Sequence, residues 1–270
     1  MTTQDTLTRL ERWFSQLEGS ITAFSGGVDS TLVLKLSRDF LGPERAIGCI
    51  SDSPSLKRRD LEEAKTFCRR FDIQLEIIHT RELDDRNYAS NPSNRCFACK
   101  SHLYQDLGEL QRRFPTRTIL NGTNADDLGD YRPGLKAAAD HAIRSPLSEC
   151  GVDKQTVRQL ARHLELPNWD KPASPCLSSR IPYGSPVTRG KLQQIETAES
   201  VLERYGFTDG RVRHFGTEAK IEVPFEQIEA LTSRLDRISA ALRALGFETI
   251  SVDREGFVSG KLNRALSSNA

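Results

Sequence analysis

A chain of 270 residues has room for one large or two modest domains with a buried core, and its 37% hydrophobic and 28% charged content describes a globular protein in water. A formal net charge of +1 supplies no overall drive toward nucleic acid or an anionic membrane. Residues 1–5 lead into an amphipathic pattern instead of a basic and apolar leader, no run of about 18 apolar residues is present to span a bilayer, and the sequence reads as cytoplasmic.

Leu7, Leu10, Trp13, Phe14 and Leu17 recur at helical spacing and predict an N-terminal helix over residues 6–18. The apolar run Ile21-Thr22-Ala23-Phe24 predicts a strand. It runs into Ser25-Gly26-Gly27-Val28-Asp29-Ser30 and then into Thr31-Leu32-Val33-Leu34, which reads as the start of a buried helix. A strand, a glycine turn and a helix start make a phosphate cradle, because glycine lets the backbone approach closely and the helix N-terminus offers unpaired N–H groups and a positive dipole end. Gly-Lys-Ser/Thr is absent, which separates this loop from that of phosphate-transferring NTPases. Ser-Gly-Gly-x-Asp-Ser instead resembles the PP-loop of the ATP pyrophosphatases, which cleave ATP between the α and β phosphates and activate a substrate with the adenylyl group. The plainer alternative is a turn that caps a helix through Asp29 or Ser30.

Strands over residues 46–50 and 75–79 flank a helix near 56–71, the alternation of parallel βαβ units. Periodicity lapses over 87–94, a loop that delivers Arg95-Cys96-Phe97-Ala98-Cys99-Lys100 to a helix ending near Phe114. A fourth strand, Thr118-Ile119-Leu120, runs into residues 121–127. Ligands gather at the carboxyl ends of strands in an open parallel sheet. Ser25, Gly26, Gly27, Asp29 and Ser30, with Ser51 and Asp52 after strand two and Gly122, Asn124 and Asp126 after strand four, are therefore expected around one nucleotide. Carboxylates beside a triphosphate imply Mg²⁺, with Asp29 and Asp127 as candidate ligands, and helix capping as the alternative for Asp126 and Asp127.

Asp153 is expected to cap a helix that ends at Pro167. Residues 169–184 are too proline-rich for a regular element and read as a boundary that carries function. Beyond it, helices over 192–205 and 225–245 and strands over 210–214, 219–223, 249–252 and 256–259 predict a small α+β unit. The expected organisation is an α/β fold with a doubly wound parallel sheet over residues 1–168, a cysteine-bearing linker over 169–186, and a smaller C-terminal α+β domain over 187–270 for substrate binding and oligomerisation.

Of the six cysteines, Cys176 stands in a polar, irregular setting with Lys171 and Arg180 within five residues, and cations favour the thiolate that a nucleophile needs. Cys96 and Cys99 have ligand spacing, yet one pair is half of a four-ligand site, and Cys176 is the natural third ligand. An iron–sulfur cluster, zinc with His102 as a further ligand, and a redox disulfide all remain open on spacing alone. In the small unit, Arg211 and Arg213 alternate on one strand and face the same side, suited to an anion, with Glu199 or Glu222 to steady them and His214 beside them.

The motifs Ser25-Gly-Gly-Val-Asp-Ser30, Gly122-Thr-Asn-Ala-Asp-Asp127, Asp130-Tyr-Arg-Pro-Gly134, Ser145-Pro-Leu147, Trp169-Asp-Lys-Pro-Ala173, Cys176-Leu-Ser-Ser-Arg180 and Arg211-Val-Arg-His214 resemble, in order and over residues 5–262, the LarE family of sulfur transferases of nickel-pincer cofactor biosynthesis. The resemblance implies an adenine nucleotide alpha hydrolase-like fold and a small-molecule substrate, a pyridinium dicarboxylate mononucleotide whose carboxylate is adenylylated by ATP. The Cys176 thiolate then displaces AMP, and sulfur leaves as a thiocarboxylate. In one version within the family the cysteine gives up its own sulfur and becomes dehydroalanine. In the other, three cysteines hold a 4Fe-4S cluster that carries an extra sulfide, and the presence of Cys96, Cys99 and Cys176 resembles that type. The same resemblance implies a homo-oligomer. On physical grounds the transfer chemistry is expected to use Arg211 and Arg213 for the substrate's phosphate with Ser179 beside the substrate, Arg180 for the reacting carboxylate or AMP, and Lys100 or Lys171 with Mg²⁺ to offset charge on pyrophosphate. Rival readings are a tRNA-thiolating enzyme, which the charge balance disfavours, an amide-forming ligase, and a nucleotide- or metal-responsive binding protein without turnover.

Overall fold

The computed structural model describes residues 2–129, 133–172 and 174–258. In chain order its elements begin with α1 (Thr3–Phe14), β1 (Ser20–Ala23), α2 (Val28–Leu41), β2 (Ala46–Ser51), α3 (Arg58–Arg70) and β3 (Gln74–Ile78). They continue with α4 (Arg86–Ala89), α5 (Arg95–Arg113), β4 (Thr118–Leu120), α6 (Pro133–Asp140), α7 (Pro146–Glu149) and α8 (Lys154–His163). The last are α9 (Arg189–Arg204), β5 (Arg211–Phe215), β6 (Glu218–Glu222), α10 (Ile228–Thr232), α11 (Leu235–Arg243) and β7 (Thr249–Val252). The chain divides into two units, one of Met1–Glu82 with Cys96–Ser174, the other of Leu83–Arg95 with Pro175–Ala270.

In the first unit the strands lie in the order β3-β2-β1-β4, and every neighbouring pair is parallel. Side chains alternate across the sheet. Ile21, Ala23, Ile47 and Cys49 bury against Tyr104, Leu107 and Leu110 of α5 and Ala137 and Ala138 of α6, while Ile50 and Leu120 join α1, α2, α3 and α8 in a second cluster. Helices thus cover both faces, as a doubly wound sheet requires. Val28, Leu32, Val33, Leu34, Leu36 and Leu41 of α2 are all buried, the signature of a helix enclosed on most sides. It lies so close to β2 that a Cβ on Gly48 would stand 2.9 Å from Leu34 Cδ2. Helix starts follow local chemistry. Thr2 and Asp5 cap α1 reciprocally, and the Asp153 side chain accepts from Thr156 N at 2.7 Å to cap α8.

The second unit has its own core. Sheet β5-β6-β7 pairs β5 with β6 antiparallel and β6 with β7 parallel. Ala198, Val201 and Leu202 of α9 and Ile238 and Leu242 of α11 pack onto Val212, Ala219 and Ile221.

Three expectations change. The single helix over 225–245 is a short 3₁₀ segment (Phe225–Gln227) followed by α10 and α11. Thr232 Oγ1 bonds Ile228 O at 2.8 Å and Ser233 Oγ bonds Ala230 O at 2.8 Å, hydroxyls competing with the backbone where the helix breaks. Residues 256–258 form no strand; Gly256 takes φ +72° and its N–H turns back to Asp253 O at 3.1 Å. The irregular stretch expected over 87–94 is occupied in part by α4. Asp130, Tyr131, Arg132, Ala173 and residue 259 onward lie outside the described residues. No helix is long and apolar enough to cross a membrane among the described residues.

Glu149 ties α7 to α1. Its carboxylate accepts from Arg144 Nε at 3.0 Å, Ser145 N at 2.9 Å and Trp13 Nε1 at 2.9 Å, and the Arg144 guanidinium lies 4.9 Å from the Trp13 ring centroid. The Arg144 hydrogen bonds, foremost, pull its pKa from 4.5 down to about 2. The fold therefore favours the ionised form. This stabilisation is complete above pH 4.5 and is lost as pH falls toward about 2. Glu149→Gln should lower the melting temperature by a few degrees at pH 7, and melting curves of variant and wild type should converge as the pH approaches 2.

Candidate active site

Strand order reverses beside β1. The chain steps outward through β2 and β3, then returns to the other side of β1 as β4, so the loops after β1 and β4 meet at the point where an open α/β sheet places its ligand. Gly26 has φ +73°, a conformation L side chains rarely adopt. Gly27 caps α2 without any side-chain hydrogen bond, leaving the first helical N–H groups for a ligand. Ser25 Oγ and Ser30 Oγ lie 3.0 Å apart, and Ser30 Oγ donates to Gly27 O at 3.1 Å, which fixes the turn. Across from it, a Cβ on Gly122 would stand 2.6 Å from Ser30 N and 2.9 Å from the Asp29 carbonyl carbon. Only glycine permits that approach.

Asp29 accepts from Asn124 Nδ2 at 3.0 Å and forms an ion pair with Lys154 Nζ. Asn124 Oδ1 in turn accepts from Asp126 N at 3.0 Å, the Asp127 carboxylate accepts from Asn124 N at 3.1 Å, and the Asp126 carboxylate accepts from Lys154 N at 3.0 Å. Asp126 thus accepts from the first N–H of α8, whereas Asp127 folds back onto its own loop. Two residues that sequence reasoning missed hold the cradle. Lys154 neutralises Asp29, and Asn168 Nδ2 donates to Gly26 O at 3.0 Å and Thr31 Oγ1 at 2.8 Å. The signal available for Lys154 was its place directly after the Asp153 cap; Asn168 offered none.

Lys171 Nζ bridges Asp60 at 2.9 Å and Glu63 at 2.8 Å on α3. Burial opposes its charge, but the hydrogen bonds of Glu63 and Asp60 overcome that and raise its pKa above 10.5. Ser51 Oγ bonds Thr80 Oγ1 at 2.9 Å, and Asp52 pairs with Arg58 and with His79 Nδ1 at 3.4 Å, closing the end of β2. Lys100 lies 6.0 Å from the Tyr104 ring centroid on α5. Cys96 and Cys99 do not sit in a loop before that helix. The helix begins at Arg95, so they are its second and fifth residues, three apart on successive turns, with Cys96 exposed and Cys99 half-buried. Cys49, Cys68 and Cys150 are buried, and burial pushes the Cys49 and Cys68 thiols up to about 12. Cys96, Cys99 and Cys176 are the cysteines that solvent reaches. Among the described residues no group of three or more His, Cys, Asp or Glu side chains is arranged to hold a metal ion.

In the second unit, exposed Cys176 precedes a 3₁₀ turn (Leu177–Arg180), its carbonyl accepting from Ser179 N at 2.9 Å. Arg180, 1% exposed, grips Glu199 through Nε at 2.7 Å and Nη2 at 3.1 Å, while its Nη1 donates to Pro175 O at 2.7 Å. Arg213 pairs with Glu222 at 2.8 Å and donates to Ser179 O at 2.6 Å. Arg211 stacks with its guanidinium 3.6 Å from the Phe257 centroid; burial, then Arg180 and Arg213, lower its pKa to about 10. Glu199 and Glu222 steady Arg180 and Arg213 respectively. Three guanidiniums against two carboxylates leave these five side chains with excess positive charge beside Ser179, a setting that suits an anion. His214 points the other way, into the core, where Nε2 meets Gln194 Oε1 at 2.9 Å and the ring edges onto Phe247.

Two outcomes follow from this geometry. Gly122→Ala should weaken ATP binding roughly tenfold or more by titration calorimetry, whereas Gly190→Ala, with nothing within 4 Å of an added Cβ, should leave it unchanged. Glu199→Ala strands the buried Arg180 charge and should cost about 3–5 kcal/mol in denaturant unfolding.

Residues 11–95 match the NAD synthase family. The chain is 43% identical over 263 residues, 97% of its length and 98% of the relative's, to an uncharacterized protein of Synechocystis sp.. To the pyridinium-3,5-bisthiocarboxylic acid mononucleotide synthase of Lactiplantibacillus plantarum it is 34% identical over 251 residues, 93% of this chain and 91% of that protein. A glutamine-hydrolyzing GMP synthase polypeptide of Saccharolobus solfataricus is 26% identical over 222 residues, 70% of this chain and 55% of that relative. With a glycine turn at the sheet's reversal point and similarity running through nearly its whole length, the chain belongs to the family of the pyridinium-3,5-bisthiocarboxylic acid mononucleotide synthases, the LarE family that its motifs resemble.

Proposed function

We propose that the protein is an ATP-dependent sulfurtransferase that adenylylates a carboxylate of a pyridinium dicarboxylate mononucleotide and converts it to the thiocarboxylate used for a nickel-pincer cofactor. The name of the Lactiplantibacillus plantarum relative supports this substrate. The observation that carries the reading is the presence, in one chain of that family, of a phosphate cradle free of side-chain capping and of an exposed thiol, Cys176, in a unit with three buried arginines.

A carboxylate is a poor electrophile, and its acyl adenylate provides AMP as a good leaving group. The Gly26-Gly27 turn and the start of α2 bind the phosphates of ATP, and Ser51 and Asp52 lie toward its adenosine end. Bound Mg²⁺ would offset charge on the departing pyrophosphate, with Asp29 and Asp127 as its carboxylates. Lys154 is paired with Asp29, and Lys171 with Asp60 and Glu63; either ammonium would offset charge on the phosphates only by turning from these carboxylates to the ligand. Arg211 and Arg213 bind the substrate's phosphate with Ser179, while Arg180 acts by holding the Cys176 turn. The Cys176 thiolate forms a C–S bond to the acyl carbon as the bond to AMP breaks. In the sacrificial route the Cα proton is then lost, the Cβ–S bond of Cys176 breaks, and thiocarboxylate leaves behind dehydroalanine.

The alternative source of sulfur is a 4Fe-4S cluster on Cys96, Cys99 and Cys176, as in the cluster-type members that the three cysteines resemble. Among the described residues no such metal-holding group is formed. A homo-oligomer in the cytoplasm belongs to the same reading.

Pyrophosphate release that depends on the pyridinium dicarboxylate mononucleotide is the primary test; ATP binding with no pyrophosphate from any carboxylate would favour a binding protein instead. Cys176→Ala should still release pyrophosphate and yield no thiocarboxylate. After anaerobic treatment with iron and sulfide, loss of about 34 Da at Cys176 during turnover identifies the sacrificial route. Iron content unchanged by Cys96→Ser would remove that residue from the ligand set.

A further inference from the structure

We propose that Asn91, with Tyr88 and Arg95, forms a positioning hub that sets the backbone carrying the Cys176 thiol. The proposal rests on the sulfur-transfer reading, for which it names the residues that place the nucleophile.

Residues 83–95 belong with the second unit although they lie about ninety residues from its other members in sequence. Asn91 is wholly buried and non-glycine, yet adopts φ +60°. Asn tolerates the left-handed region better than most residues, but Pro92 follows and narrows the backbone choices of the residue before it. Such strain persists only where surrounding contacts over-determine it, and those contacts are present.

The Asn91 side chain donates from Nδ2 to three carbonyls, Ile181 at 3.3 Å, Pro182 at 2.7 Å and Ser185 at 2.9 Å. Its Oδ1 accepts from Arg95 Nη1, and the same Arg95 nitrogen donates to Ser178 O at 3.1 Å. Tyr88 Oη meets Ser178 Oγ at 2.6 Å. Backbone bonds complete the fit, with Gly184 N donating to Asn91 O at 2.9 Å and Val187 N to Ala89 O at 2.8 Å. Tyr88, Asn91, Arg95 and Ser178 are each no more than 4% exposed. The turn that follows Cys176 is therefore fixed at Ser178 through both its carbonyl and its hydroxyl, and again at 181, 182 and 185. The thiol itself is left exposed at the open end. A nucleophile that must meet an acyl carbon within a fraction of an ångström gains from such a rigid support. Packing alone does not require one side chain to collect three carbonyls and an arginine.

Tyr88→Phe removes one hydrogen bond and keeps the ring. Asn91→Gly removes the side chain at a φ that glycine accepts without strain. In both, hydrogen exchange should accelerate roughly tenfold at the amides of Ser179, Ile181 and Gly184 while the β5–β6 ladder keeps its wild-type rates. The kcat for thiocarboxylate formation should fall roughly tenfold with KM for ATP and for the carboxylate substrate changed less than about twofold. Unchanged exchange at those three amides, or equal acceleration throughout the β5–β6 ladder, overturns the hub. A wild-type protein that forms no thiocarboxylate would sink the sulfur-transfer reading, and the exchange rates would still judge the hub by themselves.

Discussion

The first unit depends on a contact that leaves no room for a methyl group. Gly122 lies against the Asp29–Ser30 peptide so closely that a Cβ would stand 2.6 Å from Ser30 N. This approach brings the loop after β4 onto the start of α2, and with it come the Asn124–Asp29 hydrogen bond, the bond from the first N–H of α8 to Asp126 and the closure of the loop by Asp127. The parallel sheet supplies the frame. Because β1 is flanked by β2 and β4, its carboxyl end is the natural place for two loops to converge. The meeting of these two loops is thus a property of strand order as much as of the glycines.

The second unit depends on charge placed out of water. Arg180 and Glu199 are each about 2% exposed at the side chain, and Arg213 and Glu222 about as little. Buried ion pairs are poor sources of stability in themselves, since desolvation offsets most of the attraction. Their use here is geometric: bidentate and carbonyl-directed bonds from Arg180 and Arg213 reach Pro175, Glu199, Ser179 and Glu222. Each guanidinium joins a helix or strand to the cysteine turn with fixed direction. An apolar replacement of the same volume would pack without setting that direction.

Much of this was legible in the sequence because it is local. Strand β4 falls on Thr118–Leu120 as its apolar run predicts, Asp153 caps α8, and strict alternation puts Arg211 and Arg213 on one face. The Ser-Gly-Gly-Val-Asp-Ser stretch announces its own turn and helix start. What sequence did not reveal is long-range. Nothing near Asn168 indicates that it supports Gly26, 142 residues away. Nothing near Arg180 marks Glu199, 19 residues on, as its partner. Residues 87–94 look featureless because their periodicity is irrelevant: their partners are backbone carbonyls ninety positions later, and carbonyls leave no mark in composition. The break between α10 and α11 was missed for a different reason, since apolar spacing continues through Thr232 and Ser233 while their hydroxyls bond the carbonyls of Ile228 and Ala230.

The path of the chain between the two units has a consequence for synthesis and dissection. It leaves the first unit after Glu82, returns at Cys96 and leaves again after Ser174, so neither unit is a continuous segment. During translation Tyr88, Asn91 and Arg95 emerge long before the hydroxyl and carbonyls they bind, and the first unit must accommodate an unsatisfied insertion until residues from 178 onward arrive. No single cut yields two self-sufficient halves. The protein is modular in its cores and indivisible in its covalent thread.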